Sequence, residues 1–490
     1  MPKPYNFIFF QSDNHNRDLL GCYGDPLVKT PNLDRIAQNG VRFTNAYAAS
    51  ALCCPARASI ATGRFPHQTR FWDNAIVYDG SVPSWMHRIR ESGCEVVSIG
   101  KLHYRSSEDD NGFSKEILPM HIVNQKGGIA PLLRSIGEEQ YHHGQWELYQ
   151  ERSGIGTSYY QDFDIKITDE ALKWLRSKKE SESNKPWLLH VSYPSSHPPF
   201  SVPKSLYEMY PHEAITLPPL FSEKDCPQHP SLTHLRETMG WGKLEADSLK
   251  RIIAGYYGLI THLDQQIGLV LEELHNLGLE ENTRLIYTTD HGEMRGSHGL
   301  LGKCNLYEGS IAVPLIFSGP GIPKGKVVDQ IVSHTDLFPT LVKGMGASVK
   351  EVDLDLPGTS LWPSIQGVLR DRIGFAEYHA AGSKNASFML RENHMKLIHH
   401  VGMPPQLFDL NNDPYETQDL SEDPEKSKTL NEMTEKLNSI CNPEKTDKLA
   451  KADQKKKMDF WGGKEKVMAE GSLVITPPPG IEAEIVNSNN

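Results

Sequence analysis

Short apolar runs followed at once by polar residues constrain this chain most. Asn6-Phe7-Ile8-Phe9-Phe10 reads as a strand buried on both faces of a parallel sheet, and Glu95-Val96-Val97-Ser98-Ile99, Trp187-Leu188-Leu189-His190-Val191-Ser192 and Thr283-Arg284-Leu285-Ile286-Tyr287-Thr288-Thr289 read as further strands. A sheet of that kind must be covered by helices. Its ligands gather beyond the carboxyl ends of its strands. The residues found there are Asp13 and Asn14, Lys101 and His103, His197, and Asp290 and His291. Taken singly, each also has an ordinary reading as a turn cap, a solvated lysine or a packed loop histidine.

The segment Ser50 to Arg64 (SALCCPARASIATGR) predicts a short loop feeding a helix. Pro55 suits the first turn, where an N–H would be unpaired anyway, and Gly63 suits the residue just past the end. Cys53 then sits among unpaired backbone N–H groups at the positive end of a helix, with Arg57 one turn on. Such a thiol is expected to ionise more easily than a free one. On these residues alone Cys53 is a reactive cysteine, part of an oxyanion pocket, or a buried helix cap.

Other helices are expected at Thr30 to Ala37, giving a βαβα order up to Arg64, and at Ser84 to Ser92 and Thr168 to Lys178. The strongest is Leu249 to Leu277, where Ile252, Tyr256, Leu259, Leu263, Ile267, Val270 and Leu274 form a core stripe. His262 and Asp264 within it are read as structural. From about residue 370 shorter segments separated by polar turns suggest a small antiparallel sheet, then a helix near 426–440. Residues 105–160, with the cluster Tyr141-His142-His143-Gly144-Gln145-Trp146, form a long excursion expected to shape a pocket.

A chain of 490 residues exceeds one hydrophobic core, so a large domain (1–368), a smaller α/β domain (369–443) and a Lys- and Pro-rich tail (444–490) are expected. The net charge of -11 argues against a nucleic-acid partner, although a local cluster of cations can still bind an anionic ester. Seven cysteines at irregular spacing suggest neither a disulfide framework nor a zinc ribbon. No apolar window approaches the roughly 20 residues needed to span a bilayer. With no leader-like start either, the expectation is a cytoplasmic protein with no membrane association.

The string C-x-P-x-R followed by A-S-I-A-T-G-R resembles the signature of the sulfatase family within the alkaline phosphatase superfamily. So do the T-P-N-L-D-R-I-A helix, the G-K-L-H string at Gly100 to His103, the H-x-P setting of His197, and the D-H-G-E…H-G…G-K…Y-E-G run from Asp290 to Gly309. The resemblance implies an α/β fold with a large mixed sheet sandwiched by helices. It also implies that Cys53 is oxidised to formylglycine by a modifying enzyme, and that the hydrated aldehyde attacks a sulfate ester. Arg57 would orient that nucleophile; Lys101 and Lys303 would bind the transferred group; His103 would act as base; His197 or Lys303 would protonate the leaving group. Asp13, Asn14, Asp290 and His291 would hold one divalent ion together with the modified Cys53, and Asn74 would add a further substrate contact. Many members carry two adjacent Asp where this chain has Asp13-Asn14. The family implies calcium, and the less charged ligand set here also suits manganese. Relatives that hydrolyse phosphonate monoesters, and the choline sulfatase branch, resemble this ligand pattern, so a phosphonate monoester or phosphodiester is the alternative substrate. Extended tails in relatives cover neighbouring subunits, which implies a homo-oligomer.

Overall fold

The computed structural model describes residues 5–128, 132, 134, 145–180 and 185–486. The His142 and His143 pair of the 105–160 excursion lies outside the described residues. The chain builds an eight-stranded sheet from β1 (Asn6–Ser12), β2 (Gly40–Tyr47), β3 (Glu95–Lys101), β4 (Lys115–Met120), β5 (Trp187–Ser192), β6 (Thr283–Thr289), β7 (Leu315–Ser318) and β8 (Lys326–Ser333). The spatial order is β8-β2-β7-β6-β1-β5-β3-β4. All neighbours are parallel except β7, which runs antiparallel to both β2 and β6. The carboxyl ends of β1, β3, β5 and β6 therefore open on one edge.

Period-two alternation along β1 explains the layers. Phe7 and Phe9 pack on one face with α2 (Cys53–Thr62), α3 (Trp85–Glu91) and α6 (Leu337–Gly344). Ile8 and Phe10 pack on the other with α1 (Pro31–Gln38), α4 (Tyr159–Lys179) and α5 (Ala246–Asn276). All of these β1 side chains are fully buried, each stabilising the fold by about 1.5–3 kcal/mol. The long amphipathic helix is α5, and its Asp264 caps α1 by accepting from the backbone N–H of Leu33 at 2.8 Å and of Asn32 at 3.2 Å.

A second, antiparallel sheet of β9 (Ile373–Tyr378), β10 (Ser387–Glu392), β11 (Met395–His400) and β12 (Gln406–Asp409) packs on α7 (Ser427–Ile440) through Phe388, Leu390, Leu397, Leu407, Met433 and Leu437. Buried Lys396 ties it to the main body by reaching Glu308 at 2.9 Å, and it also reaches Glu416, beyond β12, at 2.7 Å. The lysine-rich stretch beyond is not an extended tail. It forms α8 (Pro443–Phe460), because Ala450, Gln454 and Met458 recur at helical spacing and are buried against the chain itself. No helix among the described residues is long and apolar enough to cross a membrane.

Candidate active site

The nucleophile candidate is placed by helix geometry. Leu52, in an extended conformation, precedes the first turn of α2, and Gly63 closes the helix at φ 67°, the left-handed position that favours glycine. Every residue of α2 is buried. The side chain of Asn74 accepts from the Cys54 N–H at 3.2 Å, so Asn74 lies at the start of α2 and caps it. Cys53 Sγ is 3.1 Å from His291 Nε2 and 3.8 Å from Asp13 Oδ1.

Asp13, Cys53, Asp290 and His291 bring their ligand atoms within 4.8 Å of one another, all four buried. Asp13 follows β1, and Asp290 and His291 follow β6, its neighbour in the sheet. His291 Nδ1 donates to the Gly292 carbonyl at 3.0 Å, which leaves Nε2 as an acceptor facing the cluster. Asn14 adjoins it, its N–H donating to Asp290 Oδ1 at 3.2 Å, while its own Oδ1 is buried with no partner among the described residues. Two carboxylates, an imidazole nitrogen and an orphaned amide oxygen form a donor set that fits a divalent cation.

Arg57 lies behind this cluster, 2% exposed. Its Nε donates to Asp290 Oδ2 at 2.7 Å and its Nη2 to Asp13 Oδ2 at 3.1 Å, so one guanidinium holds both carboxylates. Its Nη1 donates to the Lys101 carbonyl at 2.8 Å and to Ser192 Oγ at 3.0 Å, linking α2 to the ends of β3 and β5. Lys101 Nζ lies 2.8 Å from Asp13 Oδ2, a buried ion pair beside the cluster. Burial opposes ionisation of Asp13, but the cations Lys101 and Arg57 outweigh it and hold its carboxyl well below the usual range.

Lys303 is buried close enough for its charge to act on Cys53 and His197; burial opposes its charge, yet Cys53 and Asp13 raise its pKa. His103, at φ 56°, is buried with neither ring nitrogen partnered among the described residues. Burial, then Lys101 and Arg57, push its pKa well below the usual value, so it is a neutral imidazole able to accept a proton. His197 Nδ1 donates to the Pro198 carbonyl at 2.8 Å, leaving Nε2 unprotonated, and burial and Lys303 also keep this ring neutral. Its ring meets Tyr160 edge-on at 5.7 Å. The helix-dipole expectation for Cys53 is overturned. Burial first, then the Asp13 charge, push its thiol up to about 12, outweighing Lys303 and Lys101.

The strand-end residues therefore come together as one site. Sequence reasoning gave no role to Ser192, to Tyr160, or to Glu293, a fully buried carboxylate one residue beyond Gly292. The D-H-G-E string contains Glu293, and an acid inside a glycine-rich buried loop was the available signal.

The Sulfatase family profile matches residues 5–347, and the profile described as N-sulphoglucosamine sulphohydrolase, C-terminal, matches 296–442. The choline-sulfatase of Rhizobium meliloti (strain 1021) is 30% identical over 421 residues, 84% of this chain and 81% of the relative. Arylsulfatase K of Bos taurus is 29% identical over 441 residues, 85% of this chain and 78% of the relative. Among solved structures, the phosphonate monoester hydrolase of Agrobacterium radiobacter superposes with a TM-score of 0.71 at 25% identity, covering 89% of this chain and 95% of that one.

Proposed function

Since the chain belongs to the sulfatase family and is a sulfuric ester hydrolase, we propose that it acts through a formylglycine formed at Cys53, beside a divalent ion held by Asp13, Asn14, Asp290 and His291. The observation that carries this reading is the position of Cys53 Sγ inside the buried acid–histidine cluster. The hydrated aldehyde would supply one hydroxyl to attack sulfur and a second whose deprotonation releases sulfate, chemistry closed to Ser or Thr. The ion would supply Lewis-acid stabilisation of a sulfuryl oxygen and a lowered hydroxyl pKa.

The chain's own residues do the rest. Arg57 fixes both carboxylates in place. Lys101, a buried cation beside Asp13, and Lys303 spread the negative charge that grows on the transferred group. His197, once protonated on Nε2, delivers that proton to the departing alcohol, with Lys303 as the other candidate donor. Neutral His103 accepts the proton of the second hydroxyl. Asn74, engaged at the start of α2 through Oδ1, is the candidate for a further contact to the transferred group through its Nδ2.

The choline-sulfatase relative makes choline sulfate the first substrate to test, with an aryl sulfate second. The phosphonate monoester hydrolase neighbour supports a phosphonate monoester as the competing reading. The test has two parts: peptide mass spectrometry on the Cys53 fragment, and turnover of choline sulfate, 4-nitrophenyl sulfate and a 4-nitrophenyl phosphonate. Aldehyde at residue 53 and faster turnover of sulfates are expected. Full activity from protein carrying only thiol at residue 53 would refute the mechanism, and a higher kcat/KM on the phosphonate would reverse the substrate assignment.

A further inference from the structure

Position 14 departs from the paired aspartates that the family resemblance leads one to expect, and the surroundings of Glu293 supply a reason. Glu293 is fully buried and its carboxylate accepts from four donors. Oε1 takes the backbone N–H of Arg295 at 3.0 Å and that of Gly302. Oε2 takes the Tyr149 hydroxyl at 3.2 Å and the Asn14 side-chain Nδ2 at 2.8 Å. A carboxylate with this set of partners has only acceptor capacity to offer residue 14. An amide placed against it must turn its NH2 toward Glu293, and its oxygen is then forced to the opposite side. That oxygen is the buried Oδ1 with no partner among the described residues, on a residue whose backbone N–H already binds Asp290.

We propose that Glu293 is a positioning residue that holds the Asn14 amide with its oxygen free for a cation, and that this carboxylate is what requires asparagine at position 14. An aspartate there would set two carboxylate oxygens in contact at hydrogen-bond distance in a buried site with no proton between them, which is destabilising. The pair Asn14–Glu293 is thus one unit: a neutral ligand supported by an anionic neighbour. Making both changes together, Asn14→Asp with Glu293→Gln, restores complementarity. The amide introduced at position 293 donates to the carboxylate introduced at position 14. Its oxygen still accepts from the N–H groups of Arg295 and Gly302, and the Tyr149 hydroxyl can turn to accept. The proposal rests on reading the acid–histidine cluster as a cation site.

The test compares wild type, Asn14→Asp, Glu293→Gln and the double variant in two measurements. The first is calorimetric titration of EDTA-stripped protein with Mn2+ or Ca2+ alone. Glu293→Gln should bind about 10–100-fold more weakly, the range typical of lost support behind a metal ligand, and the double variant should return to within about 3-fold of wild type. The second is the thermal midpoint of the same stripped proteins, where Asn14→Asp should melt lower and the double variant should recover most of that loss. A Glu293→Gln protein that binds as tightly as wild type, or a double variant no better than the worse single one, overturns the proposal. Wild type binding neither ion overturns the cation-site reading instead, and the melting comparison still decides whether the two positions are coupled as described.

Discussion

Arg57→Met exposes what one buried guanidinium contributes. The methionine has comparable reach and fills the volume, but it leaves Asp13 and Asp290, both fully buried, without the cation that binds Oδ2 of each. Among the described residues the lysine left in an ion pair with either carboxylate is Lys101, and it lies against Asp13. Removing one partner of a buried ion pair costs about 3–5 kcal/mol, because the surviving charge is left uncompensated. The Lys101 carbonyl and the Ser192 hydroxyl also lose their donor, adding about 1 kcal/mol. An unfolding entropy of about 2.1 cal/mol/K per residue gives roughly 1 kcal/mol/K for the whole chain unfolding as a unit. The expected drop in melting temperature is then about 4–6 °C by calorimetry in EDTA. A bound divalent cation would replace the missing positive charge, so the gap should narrow at saturating Mn2+ or Ca2+. A metal-free midpoint within about 1 °C of wild type, or a gap that widens with metal, would refute this account of the carboxylate pair.

Glu377, between His67 Nδ1 and His379 Nε2 at 2.8 Å each, gives a pH test. Burial raises its pKa, but His67 and then His379 outweigh burial and lower it from 4.5 to about 2, so its contribution to stability is present above pH 4.5 and is lost as pH falls toward 2. Glu377→Gln should therefore be less stable than wild type at neutral pH, with the gap closing across that window in acid-unfolding curves; a constant gap would exclude the assignment. Iodoacetamide at about pH 7.5, applied to protein made without the modifying enzyme, should label the partly exposed Cys94 and spare buried Cys53, whose thiol lies at about 12. Mass spectrometry finding Cys53 labelled first would restore the reactive-thiol reading. His197→Asn should slow release of an alkyl alcohol by about 10²–10⁴-fold while costing 4-nitrophenyl sulfate far less, since nitrophenolate needs no proton to leave. Equal losses on both substrates would move the acid role to Lys303.

The sequence made some parts of this protein legible because their physics is local. Buried strands announce themselves as apolar runs, and a strand end fixes where the next side chain emerges; hence Asp13, Lys101, His103, His197 and Asp290 could be placed at one sheet edge before any coordinates. The stripe of α5 and the capped ends of α2 are equally local. What escaped depends on partners far apart in the chain. The antiparallel sense of β7 is set by its pairing to β2 and β6, and nothing in Leu315–Ser318 encodes direction. The helix α8 was obscured by its lysines, although its buried face includes Ala450, Gln454 and Met458. The ionisation of Cys53 could not be read either, because a helix N-terminus lowers a thiol pKa only when opposing carboxylates and burial do not exceed it, and Asp13 lies 40 residues away. The same distance hides the reason for Asn14: its hydrogen-bond partner Glu293 lies 279 residues on. A departure from a family motif is therefore best judged against the side chain it faces in space, since an amide opposite an acceptor-only carboxylate is a requirement of hydrogen bonding rather than a loss of a ligand.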